Sequence, residues 1–208
     1  ARIFGGETGI ALNTATATLQ NTIIHTFQNF GIKAIASVVK ASNLVMNNCG
    51  QADLAIQKGG TVTLNHCTLA NFWELNASLP AYGIYASNGQ KLYRAVDLNI
   101  RNSIIYGHRE NALSFDAVSG QSFRYSIDGS LIKYGDQSGF SFDGNPWITH
   151  SVKNEDPKFK NYFIHKMNLR VADDSPAKAL GTPAAAQEVP YDIKGIARKM
   201  APTAGAYQ

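Results

Sequence analysis

The chain has 208 residues, enough for one domain or a short solenoid with a buried core, and its net charge of +4 comes from scattered basic residues. Only 16% of residues are charged against 44% hydrophobic; ordinary domains carry roughly a quarter charged, so polarity here rests on Asn, Ser, Thr and Gly, a composition that favours repetitive β-structure. Nucleic-acid binding would need a concentrated basic stripe and a membrane span roughly 18 uninterrupted apolar residues; the sequence has neither.

Ala1-Arg2-Ile3-Phe4-Gly5-Gly6 is followed by no apolar core and does not read as a signal peptide. Gly9-Ile10 already opens a rung without a capping helix before it, so the expectation is the C-terminal part of a longer β-helix whose N-terminal remainder is missing. From there one frame recurs: Leu19-Gln20-Asn21-Thr22-Ile23-Ile24, Ala41-Ser42-Asn43-Leu44-Val45-Met46, then Leu64-Asn65-His66-Cys67-Thr68. Asn21, Asn43 and Asn65 are spaced by 22, and the same offset superposes Ile10, Ile32 and Leu54, and Ile23, Val45 and Cys67. Between these frames, runs such as Gly31-Ile32-Lys33-Ala34-Ile35-Ala36 alternate with period two and are bounded by Gly, Asn and Ser. A fixed repeat of short strands without helices predicts an all-β, right-handed parallel β-helix with rungs of about 22 residues. The Ile, Val and Cys columns are expected inside, Val45 among them, and the asparagines at a left-handed turn forming a ladder. Cys49 and Cys67 fall at repeat positions that elsewhere hold apolar residues, which favours buried thiols over a disulfide, and no metal-ligand spacing surrounds them.

The frame returns at Ile100-Arg101-Asn102-Ser103-Ile104-Ile105 after 37 residues and again near Ile127-Asp128-Gly129-Ser130-Leu131-Ile132. The excess predicts a loop inserted at about 71–85, and such loops project from one face of a solenoid and build binding sites. Trp73 and Tyr82 offer flat faces for sugar stacking and Glu74 a hydrogen-bond acceptor; the other reading packs Phe72 and Trp73 back onto the coil and leaves Glu74 in water. Next comes Tyr106-Gly107-His108-Arg109-Glu110, with His108 expected in the column of Phe27, Cys49 and Asn71. His108, Arg109 and Glu110 suit general acid–base work on a glycosidic bond or a uronate, with Tyr106 beside them for binding, or they form a hydrated turn. Asp116 and Asp143, in repeated Ser-Phe-Asp triplets, are further candidate carboxylates. There is no Gly-rich phosphate loop, His-Glu-x-x-His pair or Gly-x-Ser-x-Gly elbow.

The final stretch, 151–208, is expected to close the coil. Pro157, Pro176, Pro183, Pro190 and Pro202 forbid regular ladders, and a solenoid end needs a cover. Asp192 and Arg198 are expected to pin this segment. The Asn-x-Ile-Ile turns resemble the pectin-lyase-like right-handed β-helix superfamily. The series Asp156-Pro157-Lys158-Phe159, Asn168-Leu169-Arg170, Ser175-Pro176-Ala177 with Gly181, Asp192-Ile193-Lys194-Gly195 with Arg198, and Gly205-Ala206-Tyr207 resembles the choice-of-anchor Q type C-terminal segment of bacterial secreted proteins. Thr203 and Gln208 depart from it where acids are usual. The resemblance implies a secreted, periplasmic or cell-surface module with a polysaccharide partner, either cleaving it as a lyase or glycoside hydrolase or serving as a non-catalytic structural or adhesion module. Lyases of this fold hold calcium with clustered acids; no such cluster is matched here, so no cofactor or metal site is assigned.

Overall fold

The chain is a parallel β-coil. The computed structural model describes residues 1–89, 94–135 and 140–208, and the pairings of its main, 14-stranded sheet are parallel and join residues of successive rungs. Each rung contributes to three faces. The first comprises Thr8–Asn13, 30–35, 52–57, Tyr82–Ser87 and Leu113–Asp116. The second stacks 16–20, 38–42, 60–65, Val96–Arg101, Phe123–Asp128 and Ile148–Thr149. The third runs from Arg2–Phe4 through 22–27, 44–49, Thr68–Asn71, Ile104–Gly107 and Leu131–Ile132 to Val152–Lys153.

Period-two alternation builds the interior. Ile10, Ile32 and Leu54 stack in register as expected, and Ile84 and Leu113 continue the column. Leu44, Met46, Leu69, Ile100 and Ile127 belong to the same fully buried core. At its far end Phe115 packs edge-on against Phe140 at 4.9 Å, and Tyr134, whose hydroxyl donates to the Phe140 carbonyl at 2.6 Å, completes an aromatic plug. Cys49 and Cys67 are buried, unpaired thiols.

The columns slip by one residue where sequence spacing shows none. Ile35 pairs with Gln57, but Ser37 pairs with Gly60, so one extra residue enters the rung beside Gly59 and Gly60, at φ of 78° and 138°. This is a glycine β-bulge, conformations that residues with a Cβ avoid. Beyond it, the single-residue left-handed corner passes through Asn21, Asn43, His66, Asn102, Gly129 and His150. Asn65 thus sits one position before the corner, and Val45 pairs with Thr68, not Cys67. Val45 also points outward, between the inward-facing Leu44 and Met46, yet it has no exposed surface.

The last segment explains why. It does not lie over the last rung as expected; residues 154–208 run back along the outside of the third face as a strap. A short antiparallel pair, Phe159–Asn161 with Asn168–Val171, precedes a six-residue helix, Pro183–Glu188. Val45, Ala70 and Phe72 pack against Leu169 and Ala206, and Ile104 and Leu131 against Val171, Ala177 and Ala204. The corner side chains dock its backbone. Asn102 donates to the Thr182 carbonyl at 2.9 Å and accepts from the Thr182 N–H at 2.7 Å, while Asn43 donates to the Tyr191 carbonyl at 2.9 Å. Arg198 donates to Asn43 Oδ1 at 2.7 Å, and Asp192 accepts three backbone N–H groups, of Lys194, Ile196 and Gln208. Both residues therefore pin the strap.

Candidate functional site

The inserted residues fall at two turns. The register offset is 22 at Ile32↔Leu54, becomes 30 at Leu54↔Ile84 and 36 at Gly60↔Val96. The extra chain therefore lies partly in 72–81, before Tyr82, and partly in 88–95, after Ser87, where residues 90–93 fall outside the described ones. Both enlarged turns flank one strand of the first face, Tyr82–Ser87.

On that face Phe30, Ala52 and Tyr82 share one register position, and Lys33, Ala55 and Tyr85 another. A methyl group between bulky residues leaves a slot two rung spacings wide, roughly 10 Å. The slot is a cavity of about 240 Å³ lined by Phe30, Gln51, Gln57, Pro80, Tyr82 and Tyr85. The Tyr82 and Tyr85 rings stack at 5.9 Å with 19° between planes, and Lys33 Nζ lies 5.4 Å from the Phe30 ring centre. Asp116, in register with Ser87, accepts from the Tyr85 hydroxyl and from Ser87 Oγ, each at 3.0 Å. Burial first, then that hydrogen bond, holds the Tyr85 phenol above its ordinary pKa. Aromatic faces with amides and a carboxylate at the margins match a sugar, whose C–H face is apolar and whose rim is hydroxyls.

The remaining candidates separate from this slot. Trp73 is buried, 6% exposed, with its indole N–H unpartnered, so it offers no stacking face. His108 continues the column of Phe72 because of the bulge: its backbone N–H donates to the Asn71 carbonyl at 3.1 Å, and its ring packs edge-on to Phe72 at 5.0 Å. Its Nε2 lies 3.7 Å from Glu74 Oε1. Around it, Phe72, Tyr106, Lys133, Asp156 and Tyr162 line a pocket of about 270 Å³. Lys133 donates to the carbonyls of Gly107 and His108 at 2.8 and 3.2 Å and stands 5.0 Å from the Tyr106 ring centre. Burial lowers the Lys133 pKa, with Glu110 and Asp156 opposing, and burial aided by Asp156 raises that of Tyr106. Arg109 is absorbed by structure: its guanidinium donates to the carbonyls of Ala77 and Leu79 and staples the inserted loop. Glu110 is exposed, and Asp143 is ion-paired with Lys153.

Phe30, Lys33, Gln57 and Tyr85 were missed from sequence. Their signal was present: they are outward positions of the repeat on either side of the small residues Ala52 and Ala55. Among the described residues no group of three or more His, Cys, Asp or Glu side chains is placed to hold a metal ion. No helix among them is long and apolar enough to cross a membrane. The family described as right handed beta helix region matches residues 6–167. No curated protein and no solved structure matches the chain.

Proposed function

Since the chain belongs to the family of right-handed β-helix regions, we propose that it is a polysaccharide-binding module that seats a sugar chain on its first face. The observation that carries this reading is the slot between Phe30 and the stacked Tyr82 and Tyr85, flanked by both enlarged turns of one rung. The finer kinship to pectin-lyase-like proteins rests on the Asn-x-Ile-Ile turns, and that to the choice-of-anchor Q type segment, with its secreted or cell-surface bacterial setting, on the motifs of 156–207. Isothermal titration against soluble acidic and neutral polysaccharide fragments tests the slot. Tyr82→Ala and Tyr85→Ala should each weaken binding at least tenfold with an unchanged melting temperature; unchanged affinity in both sinks the reading.

Cleavage is a second reading, favoured by one contact, the 3.7 Å approach of His108 Nε2 to Glu74 Oε1 beside Tyr106. In it His108 moves the proton and Glu74 orients the ring. A depolymerisation screen reading new reducing ends and unsaturated uronates, with His108→Ala and Glu74→Ala alongside, separates a lyase or hydrolase from a binding or structural module.

A further inference from the structure

A further cavity lies away from both sites above. About 410 Å³ in volume, it is lined by Asp97, Phe123, Arg124, Tyr125, Ser126 and Trp147, at the end of the second face. Its origin is local. Phe123–Asp128 pairs along its length with Val96–Arg101, but on its other side only Ile127 and Asp128 find partners, Ile148 and Thr149. The next rung thus stops short, and the side chains of Phe123 and Tyr125, which would be covered in a longer coil, are left half-buried as an apolar floor.

Trp147 borders this floor, 62% exposed, the more exposed of the chain's two tryptophans. A single exposed aromatic is ordinary; this one rises from an anchored backbone. The Trp147 backbone N–H donates to Asn145 Oδ1 at 3.0 Å and its carbonyl accepts from the Ile127 N–H at 2.8 Å. Asn145 is itself tied to the Tyr125 hydroxyl at 2.7 Å. Beside the ring, Arg124 donates to Asp97 at 3.0 Å, and both side chains remain largely in solvent, so the pair keeps free donors and an acceptor directed outward. The Ser126 hydroxyl adds a group that both donates and accepts.

We infer that this cavity is a second saccharide subsite, in which the C–H face of a pyranose packs on Trp147 while Asp97, Arg124 and Ser126 bond its hydroxyls. The pairing of opposite charges favours a hydroxyl-rich ring over a lone anion or cation, and with the Trp147 backbone already anchored only the rotation of its side chain has to be fixed on contact. The inference rests on the polysaccharide reading and adds a separate contact on a different face of the coil.

The two tryptophans make the test internal to the protein, since Trp73 is 6% exposed and Trp147 62%. Emission and acrylamide quenching are recorded on the whole chain with tetragalacturonate and with cellotetraose, next to calorimetric titrations. Saturation with one of the two should shift emission to the blue and at least halve the acrylamide-accessible fraction. Trp73→Phe should keep this response and Trp147→Ala abolish it, with circular dichroism melts confirming that both fold. The response should persist in Tyr82→Ala, which carries an intact second site. Heat of binding without any tryptophan response overturns this subsite and leaves the slot on the first face standing. A tryptophan response with no calorimetric loss in Tyr82→Ala or Tyr85→Ala does the reverse. Absence of both signals with both sugars overturns the two together.

Discussion

One residue per rung turns the chain from the second face to the third in a left-handed conformation, and at Asn43, His66 and Asn102 its side chain then meets the strap. At the third rung that residue is His66, fully buried. Its Nε2 lies 3.0 Å from the Asn102 amide nitrogen and its Nδ1 3.4 Å from the Gly205 carbonyl, which assigns the proton to Nδ1 and leaves Nε2 as acceptor. Burial, and then the nearby Arg198, depress the pKa to about 3 from an ordinary 6.5. A second proton would set N–H against N–H. The unfolded chain therefore takes up the proton first, so this contribution is complete above pH 6.5 and is lost as pH falls toward 3. His66→Asn, which keeps the left-handed preference and an acceptor, should remove roughly 2–4 kcal/mol of acid sensitivity. Melting temperatures between pH 7 and 4 check it; an unchanged acid limb refutes the assignment. Asp53 acts in the opposite sense. Fully buried beside the Cys49 thiol, it is held well above its ordinary pKa by burial, with the Cys49 contact opposing. Its contribution is present at low pH and is lost as pH climbs above 3.8 through the raised folded value. A residue just past the same corner does quieter work. Ser103, Ser130 and Ser151 stack so that the backbone N–H of Cys67 donates to Ser103 Oγ, that of Ser103 to Ser130 Oγ and that of Ser130 to Ser151 Oγ, each at 3.0 Å.

Among the elements, the Gly59-Gly60 bulge sets which side chains face inward in every rung after it. A Cβ on Gly60 would lie 2.4 Å from the Ser37 carbonyl oxygen, and its φ of 138° is closed to other residues. Gly60→Ala should cost about 2–4 kcal/mol, read as a lowered urea midpoint, because neither backbone can retreat within the ladder. A midpoint shift below 0.5 kcal/mol in equivalent energy would show that the bulge relaxes. The rung itself is readable from sequence because it depends on neighbours only about 22 residues away and repeats the same demand each time. The slip is not, since one added residue leaves alternation intact on both sides, and Asn65, one place before the corner, imitates the true corner residue His66. Trp73 shows a different limit: whether an aromatic in a loop stacks outward or folds inward depends on contacts that no local pattern encodes.

For the whole molecule, the third face is buried twice, by the core and by the strap. Leu44-Val45-Met46, Thr68-Leu69-Ala70 and Ile104-Ile105 are uninterrupted buried runs where a one-sided sheet would alternate. That broken alternation was the sequence's own sign of a lateral cover, overlooked because the prolines of the last segment favoured an end lid. Deleting residues 154–208 should bare Val45, Ala70, Ile104 and Leu131, giving a chain that binds a hydrophobic dye and loses its sharp thermal transition. A soluble truncation that melts as sharply as the whole chain would show that the coil stands alone.

The strap's anchors also work as a ruler. Asn102 holds it at Thr182 and Asn43 holds it at Tyr191, so the length of chain between those two clasps must match the height of coil between those two corners. β-Solenoids lengthen readily by copying a rung, because each copy meets only its neighbours. Here a copy inserted between the clasps would raise one against the other by about 4.8 Å and pull at least one off its corner. A copy inserted beyond Asn102 would leave those two in place but would part the Thr182 hydroxyl from Asp128 and lengthen the run that must reach from the last rung to Tyr162, whose carbonyl Asn47 holds. The coil is gauged to a fixed count of rungs along the strapped stretch.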